Sequence, residues 1–179
     1  GRPDAWPQIA AGFTNRNPAI REGTFFAMRE TFSPESPDAL AKLVVSAEAP
    51  ASARLTALNT LAELHRMAPS WSGRWWGTQP VLREKPTPKS EIWAKTAVVH
   101  DAILAALRDT DESVRRAAID AVATARHPSA GPALRQMWSR ESSVEVRQSI
   151  LRSLGATKDP EASAIASSVI ADPGLMNEA

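Results

Sequence analysis

Four short segments repeat one arrangement of apolar and polar positions: Asn17–Arg21, Pro50–Arg54, Asp111–Arg115 and Ser143–Arg147. Each opens on a residue that caps or starts a helix, then sets a small or β-branched apolar residue directly before an arginine. Four and seven residues beyond that arginine stand Phe25 and Met28, Leu58 and Leu61, Ile119 and Val122, and Leu151 and Leu154. Those offsets lay one apolar stripe along a helix, which makes these residues the expected core. Amphipathic segments also run over 4–13, 37–45, 91–108, 129–138 and 160–171, the first four each preceding one of the arginine helices. The segment over 91–108 carries Ile92, Thr96, Val99, Ile103 and Leu107 on one stripe. The pattern therefore predicts pairs of helices and no sheet.

The arginines are spaced 33, 61 and 32 residues apart. With a period of about 32, the middle gap is one repeat carrying an insertion of roughly 29 residues. Stacked helix pairs of that period make an α-solenoid. The expected fold is all-α: a right-handed α-solenoid of about four helix pairs plus a trailing helix, with one long Trp/Pro-rich insertion. Repeats are placed at about 1–33, 34–65, 91–127 and 128–156, with a partial one at 157–174 and the insertion at 66–90. Asn17-Pro18, Ser36-Pro37 and Asp159-Pro160 read as helix starts, where a cap oxygen takes an orphan N–H and proline lacks the donor that position cannot use. Gly155 suits a left-handed helix terminus.

The Asp-x-x-Val-Arg pattern, best seen in Asp111–Arg115, resembles the HEAT repeat in its short bacterial form. That resemblance implies a ladder of Asp–Arg contacts between repeats through Arg21, Arg54, Arg115 and Arg147, with Asp111 as its acid. The other copies put Asn17, Pro50 and Ser143 in the aspartate's place, which leaves the ladder open except near Asp111. The simpler reading makes each arginine a surface charge with its stem over the core.

The periodicity stops between Leu64 and Glu91, where the chain carries three of its six tryptophans and four of its 14 prolines. Arg66, Arg74, Arg83, Lys85 and Lys89 stand there against Glu84 alone. Long structureless loops in compact domains are more often functional than incidental. Two readings stay open. The tryptophans fold back as a plug between repeats, or Trp71, Arg74, Trp75, Trp76, Arg83 and Lys85 form a partner-binding platform of hot-spot composition. On either, Trp71–Pro80 is expected to be ordered and Arg83–Lys89 to be a solvated strap. The run Trp71-Ser-Gly-Arg-Trp-Trp-Gly-Thr-Gln-Pro80 also resembles a segment of large planctomycete-type proteins. In those, HEAT-like repeats adjoin a dehydrogenase-like propeller and a c-type haem domain. This second resemblance implies a helical module of a longer, exported protein.

Composition narrows the chemistry. Lys plus Arg number 21 and Asp plus Glu 20, a balance that gives little field for nucleic acid. Residues 1–90 carry net +3 and residues 91–179 net −2. No cysteine is present, which excludes disulfides and thiolate chemistry. His65, His100 and His127 are far apart in sequence and lack metal-ligand spacing, and His100, beside Asp101 on the first helix of its repeat, reads as a helix-surface residue. No phosphate loop, nucleophile elbow or zinc-protease motif occurs. The expectation is no enzyme, no cofactor and no metal.

Three function classes follow. The first is a non-catalytic interaction or scaffold module for a protein segment or for neighbouring domains of the parent chain. The second is nucleic-acid binding through the insertion, with Trp76, Arg74 and Asp111 cast as in HEAT-like DNA-repair glycosylases. The third is carbohydrate contact through exposed tryptophans. Ile165, Val169 and Ile170, on a last helix without a partner, predict a monomer or a weak dimer through that end, with a crystal contact or fraying as the other outcomes.

Overall fold

A computed structural model describes residues 3–30, 33–69 and 90–171. Among these, the regular elements are all helical: α1 Trp6–Ala10, α2 Pro18–Glu30, α3 Glu35–Val44, α4 Ala51–Glu63, α5 Thr96–Ala106, α6 Glu112–Ala125, α7 Gly131–Trp138, α8 Val144–Ala156 and α9 Ala162–Ala171. The arginine-bearing helices α2, α4, α6 and α8 pack each on the next as one layer. Behind them, α1 packs on α3 and α3 on α5, and the layers are tied by α3 on α4, α5 on α6 and α7 on α8. Helices α4 and α6 meet directly although the whole insertion lies between them in sequence.

The apolar stripe lies at that junction. Leu58, Leu61, Ile119 and Val122 have no exposed surface, nor do Met28 and Leu154. Phe25 and Leu151 depart from expectation and are only partly buried. Their helices stand at the two ends of the arginine layer, so each lacks the second neighbour that covers Leu58 and Ile119. In α8 the face has turned slightly, and Ile150 is the fully buried residue beside Leu154.

Three further expectations are corrected. The first amphipathic segment is a five-residue α-helix between 3-10 turns over Pro3–Ala5 and Ala11–Thr14. Pro7 has no N–H to give the Pro3 carbonyl, so an α-helix cannot run through from residue 3. Trp6, Ala10 and Phe13 still share one buried side. Ser36 does not cap α3, which begins one residue earlier. It is fully buried, and its Oγ lies 3.1 Å from Met28 Sδ. Gly155 sits inside α8, which continues to Ala156, and the left-handed residue is Lys158 at φ 57°.

Helices α6 and α8 therefore end alike. Arg126, at φ 47°, and Lys158 occupy the left-handed position. The following N–H reaches back to a core residue's carbonyl, His127 to Val122 at 3.1 Å and Asp159 to Leu154 at 2.9 Å. This is a Schellman closure made without glycine.

The arginine series has a different logic from the expected acid ladder. Each arginine hydrogen-bonds backbone carbonyls in the turn before its own helix. Arg21 donates to Asn15 and Arg16, Arg54 to Ala49, Arg115 to Asp109 and Thr110, and Arg147 to Glu141. The guanidinium thus closes the bend between paired helices, satisfying carbonyls that no helix pairs. Asp111 caps α6, accepting from Ser113 and Val114 N–H. Arg54 meets an acid other than Asp111: the Asp109 carboxylate takes its Nε at 2.9 Å and its Nη2 at 2.8 Å.

Candidate functional site

The proposed platform residues Trp71, Arg74, Trp75, Trp76, Arg83 and Lys85 lie outside the described residues, as do the expected order of Trp71–Pro80 and the strap Arg83–Lys89. The two stems of the insertion are described, and they are clamped together. Met67 and Glu91 exchange backbone hydrogen bonds of 3.0 and 2.9 Å as an isolated antiparallel bridge. Arg66 donates from Nε to Ser90 Oγ at 2.9 Å and from Nη2 to the Ser90 carbonyl at 2.7 Å. Trp93 Nε1 donates to Leu64 O at 2.9 Å, and Thr96 Oγ1 to His65 O at 2.8 Å. These bonds satisfy the carbonyls left open where α4 ends and seat the start of α5 against them.

Beside the stems lies a cleft of about 790 Å³ between the ends of α4 and α6. Its walls include His65, Arg66, Ile92, His100 and Arg126. His65 and His100 line it, His100 half-buried on α5 rather than open on a helix surface, and the buried His127, 3% exposed, packs against His100. Its ring stands 4.4 Å from that of His100. Hydrogen bonds assign the tautomers of His127 and His65. His127 Nδ1 accepts from Ser129 N–H at 3.1 Å, so the proton is on Nε2, which donates to the His100 carbonyl at 3.1 Å. His65 Nδ1 lies 2.7 Å from the Ala62 carbonyl and must carry the proton, leaving Nε2 as a lone pair. The His100 ring is hydrogen-bonded by the Ala125 backbone, and its buried Nε2 has no hydrogen-bond partner.

Burial is the largest influence on all three rings and holds each below the usual histidine value. For His65, the Arg66 and Arg126 guanidiniums lower it further; for His100, the neighbouring histidines do. The cleft thus presents neutral imidazoles within a cationic rim, with Glu63 as a carboxylate beside them. Among the described residues, no group of three or more His, Asp or Glu side chains is placed to hold a metal ion.

A second depression, about 400 Å³, crosses the arginine layer between Phe25 of α2, Asn59 of α4 and Asp120 of α6. Glu63 and Thr124 line both hollows, which makes the second a direct neighbour of the first. Its hydroxyls are turned inward: Thr56 donates to Ser52 O at 2.9 Å and Thr124 to Asp120 O at 3.1 Å. At the far end Arg29 lies 5.1 Å over the Phe25 ring and 3.8 Å from Glu63.

The histidine gathering had one sequence signal. His65 and His127 each lie two residues past the end of an arginine helix, Glu63 and Ala125. Equivalent positions in stacked repeats become neighbours. Distance along the chain conceals this.

Residues 101–174 match the family described as HEAT repeats, covering α6 to α9 and most of α5. No curated protein and no solved structure matches the chain. The match supports a HEAT-like repeat module.

Proposed function

We propose that the chain is a non-catalytic interaction module whose groove over α2, α4 and α6 seats a polypeptide segment, from a protein partner or from neighbouring domains of its parent chain. The carrying observation is that two hollows adjoin at Glu63 and Thr124. Taken together they make a groove from half-buried Phe25 across three successive arginine helices to the cleft at the insertion stems. Its inner hydroxyls are already satisfied by backbone, which leaves Asn59, Asp120 and Glu63 as the polar contacts for a ligand. HEAT repeats commonly serve as protein-interaction scaffolds, which agrees with this reading.

The same reading takes the architecture as a right-handed solenoid of about four pairs with α9 trailing. It takes the parent as a multidomain protein of the planctomycete type, on the resemblance of the insertion alone. The alternating two-layer packing supports the solenoid.

Site-specific photo-cross-linking tests the groove. A benzophenone amino acid at Asn59 should capture one recurrent polypeptide, or an adjacent domain of the parent chain, in the native host. The same group at Arg108, on the other layer, should not. Equal capture at both positions, or adducts to nucleic acid at Asn59, would overturn the proposal.

A further inference from the structure

We infer that the cleft at the insertion stems is an anchor for a polypeptide's C-terminal carboxylate, with Arg66 and Arg126 taking the carboxylate and His65 Nε2 accepting the N–H of the last residue. The inference rests on the groove reading above and names how the bound segment would end.

Three features of the cleft carry it. The first is charge. Arg66 and Arg126 both line the cleft. Arg66 is held in place by Ser90, which occupies Nε and Nη2 and leaves Nη1 for a ligand. A guanidinium already oriented loses little freedom when it binds a planar carboxylate. Arg126 sits at the left-handed end of α6, a backbone position that an L residue occupies only at some strain.

The second feature is the tautomers. His65 donates Nδ1–H to Ala62, so its Nε2 is an acceptor and asks for a donor. His100, in the same wall, has an acceptor-capable Nε2 with no partner, and such groups are rare in folded proteins. A bare anion such as sulfate or chloride gives these nitrogens nothing to accept, and Glu63 on the rim disfavours a dianion such as hydrogenphosphate. A chain terminus brings a monoanion and an amide N–H together. The third feature is Ile92, 70% exposed at the edge of the cleft, which offers apolar surface to the last side chain.

The test uses the full chain labelled with ¹⁵N-histidine and follows His65 Nε2 by NMR. The probes are N-acetyl-leucine, N-acetyl-leucinamide, N-acetyl-glutamic acid 1-amide and inorganic phosphate. N-acetyl-leucine should shift the resonance saturably, with at least tenfold weaker responses to the other three. Arg126→Gly keeps the backbone conformation and should weaken N-acetyl-leucine binding at least tenfold while the fold becomes more stable. An equal response to acid and amide, or to phosphate, overturns the anchor. So does an equal response to the side-chain carboxylate, an unchanged affinity in Arg126→Gly, or no response at all. Failure here with Asn59 cross-linking intact removes the anchor and keeps the groove; loss of the cross-link with these shifts intact does the reverse.

Discussion

His127 donates its Nε2 proton to the carbonyl of His100 across 3.1 Å, with the two rings 4.4 Å apart. The bond ties the turn after α6 to the middle of α5. It also requires a neutral ring, because Nδ1 is accepting from Ser129. Protonating His127 would turn that acceptor into a donor facing an N–H.

Stability should therefore fall with acid in a defined window. His65, His100 and His127 all titrate below the ordinary 6.5 in the folded chain, chiefly through burial. Below that value the unfolded chain binds more protons than the folded one, so stability is complete above about pH 6.5 and declines as pH drops through the folded values. Arg66 and Arg126 reinforce the direction at His65, while Asp101 opposes it at His100 and His127. Denaturant midpoints measured from pH 7.5 to 5 should decrease, and His127→Gln should flatten the slope. A midpoint independent of pH over that range would contradict the assignment.

A second, more acidic loss should follow from carboxylates. Burial pushes Asp109 up, but the Arg54 guanidinium and the Asp111 N–H together outweigh it and hold the carboxyl below 3.8. Asp111 is also lowered, first by Ser113 and then by the α6 N–H groups. Their contribution is present above about pH 3.8 and disappears as pH falls through the folded values.

Asp109→Ala should destabilise the fold by about 3–5 kcal/mol. Both side chains of the Arg54–Asp109 pair are only 10% exposed, and removing one leaves a buried charge uncompensated. Replacing both by apolar residues of similar volume, Arg54→Met with Asp109→Leu, should recover much of that loss. Chemical denaturation of the three variants distinguishes a pair that stabilises from one that is merely tolerated.

Lys158→Gly should raise stability by about 1 kcal/mol, because it relieves a left-handed backbone at no expense in packing. Gly155→Ala should do likewise by about 0.5–1 kcal/mol, since the residue is inside α8 and an added Cβ meets nothing within 4 Å. Gly131→Ala should do the opposite. A Cβ there would collide with the Asp159 carboxylate, which pairs with Arg135 and ties the start of α9 to α7. Thermal melts of the single variants check the three signs together.

Leu61→Ala and Ile119→Ala should each lose about 2–5 kcal/mol, while Leu151→Ala should lose clearly less. The first two are fully buried between arginine helices flanked on both sides, whereas Leu151 is only partly covered. Equal losses at all three would place a further helix over α8.

Much of the fold was legible in the residues themselves. An arginine followed by apolar residues at plus four and plus seven is a local pattern, and a helix answers to it through its own 3.6-residue period. The helical class, the second helix of each repeat and the break at Leu64 follow from that periodicity alone. What depended on neighbours did not. Phe25 and Leu58 hold the same place in the pattern, yet only packing decides that one is half open and the other sealed. Arg54 finds Asp109 rather than Asp111 because two turns meet in space, while Asp111 is turned to its own helix, with Oδ1 accepting from Ser113 and Val114 N–H. The histidines make the same point for the site. Nothing in the spacing of His65, His100 and His127 announces that the first two share a cleft or that the third packs on His100. They meet because the stack brings repeat-equivalent turns side by side, and their tautomers are set by carbonyls and N–H groups at helix ends. Periodicity acts within one helix and can be read along a chain; burial, pairing and protonation are properties of what lies across from it.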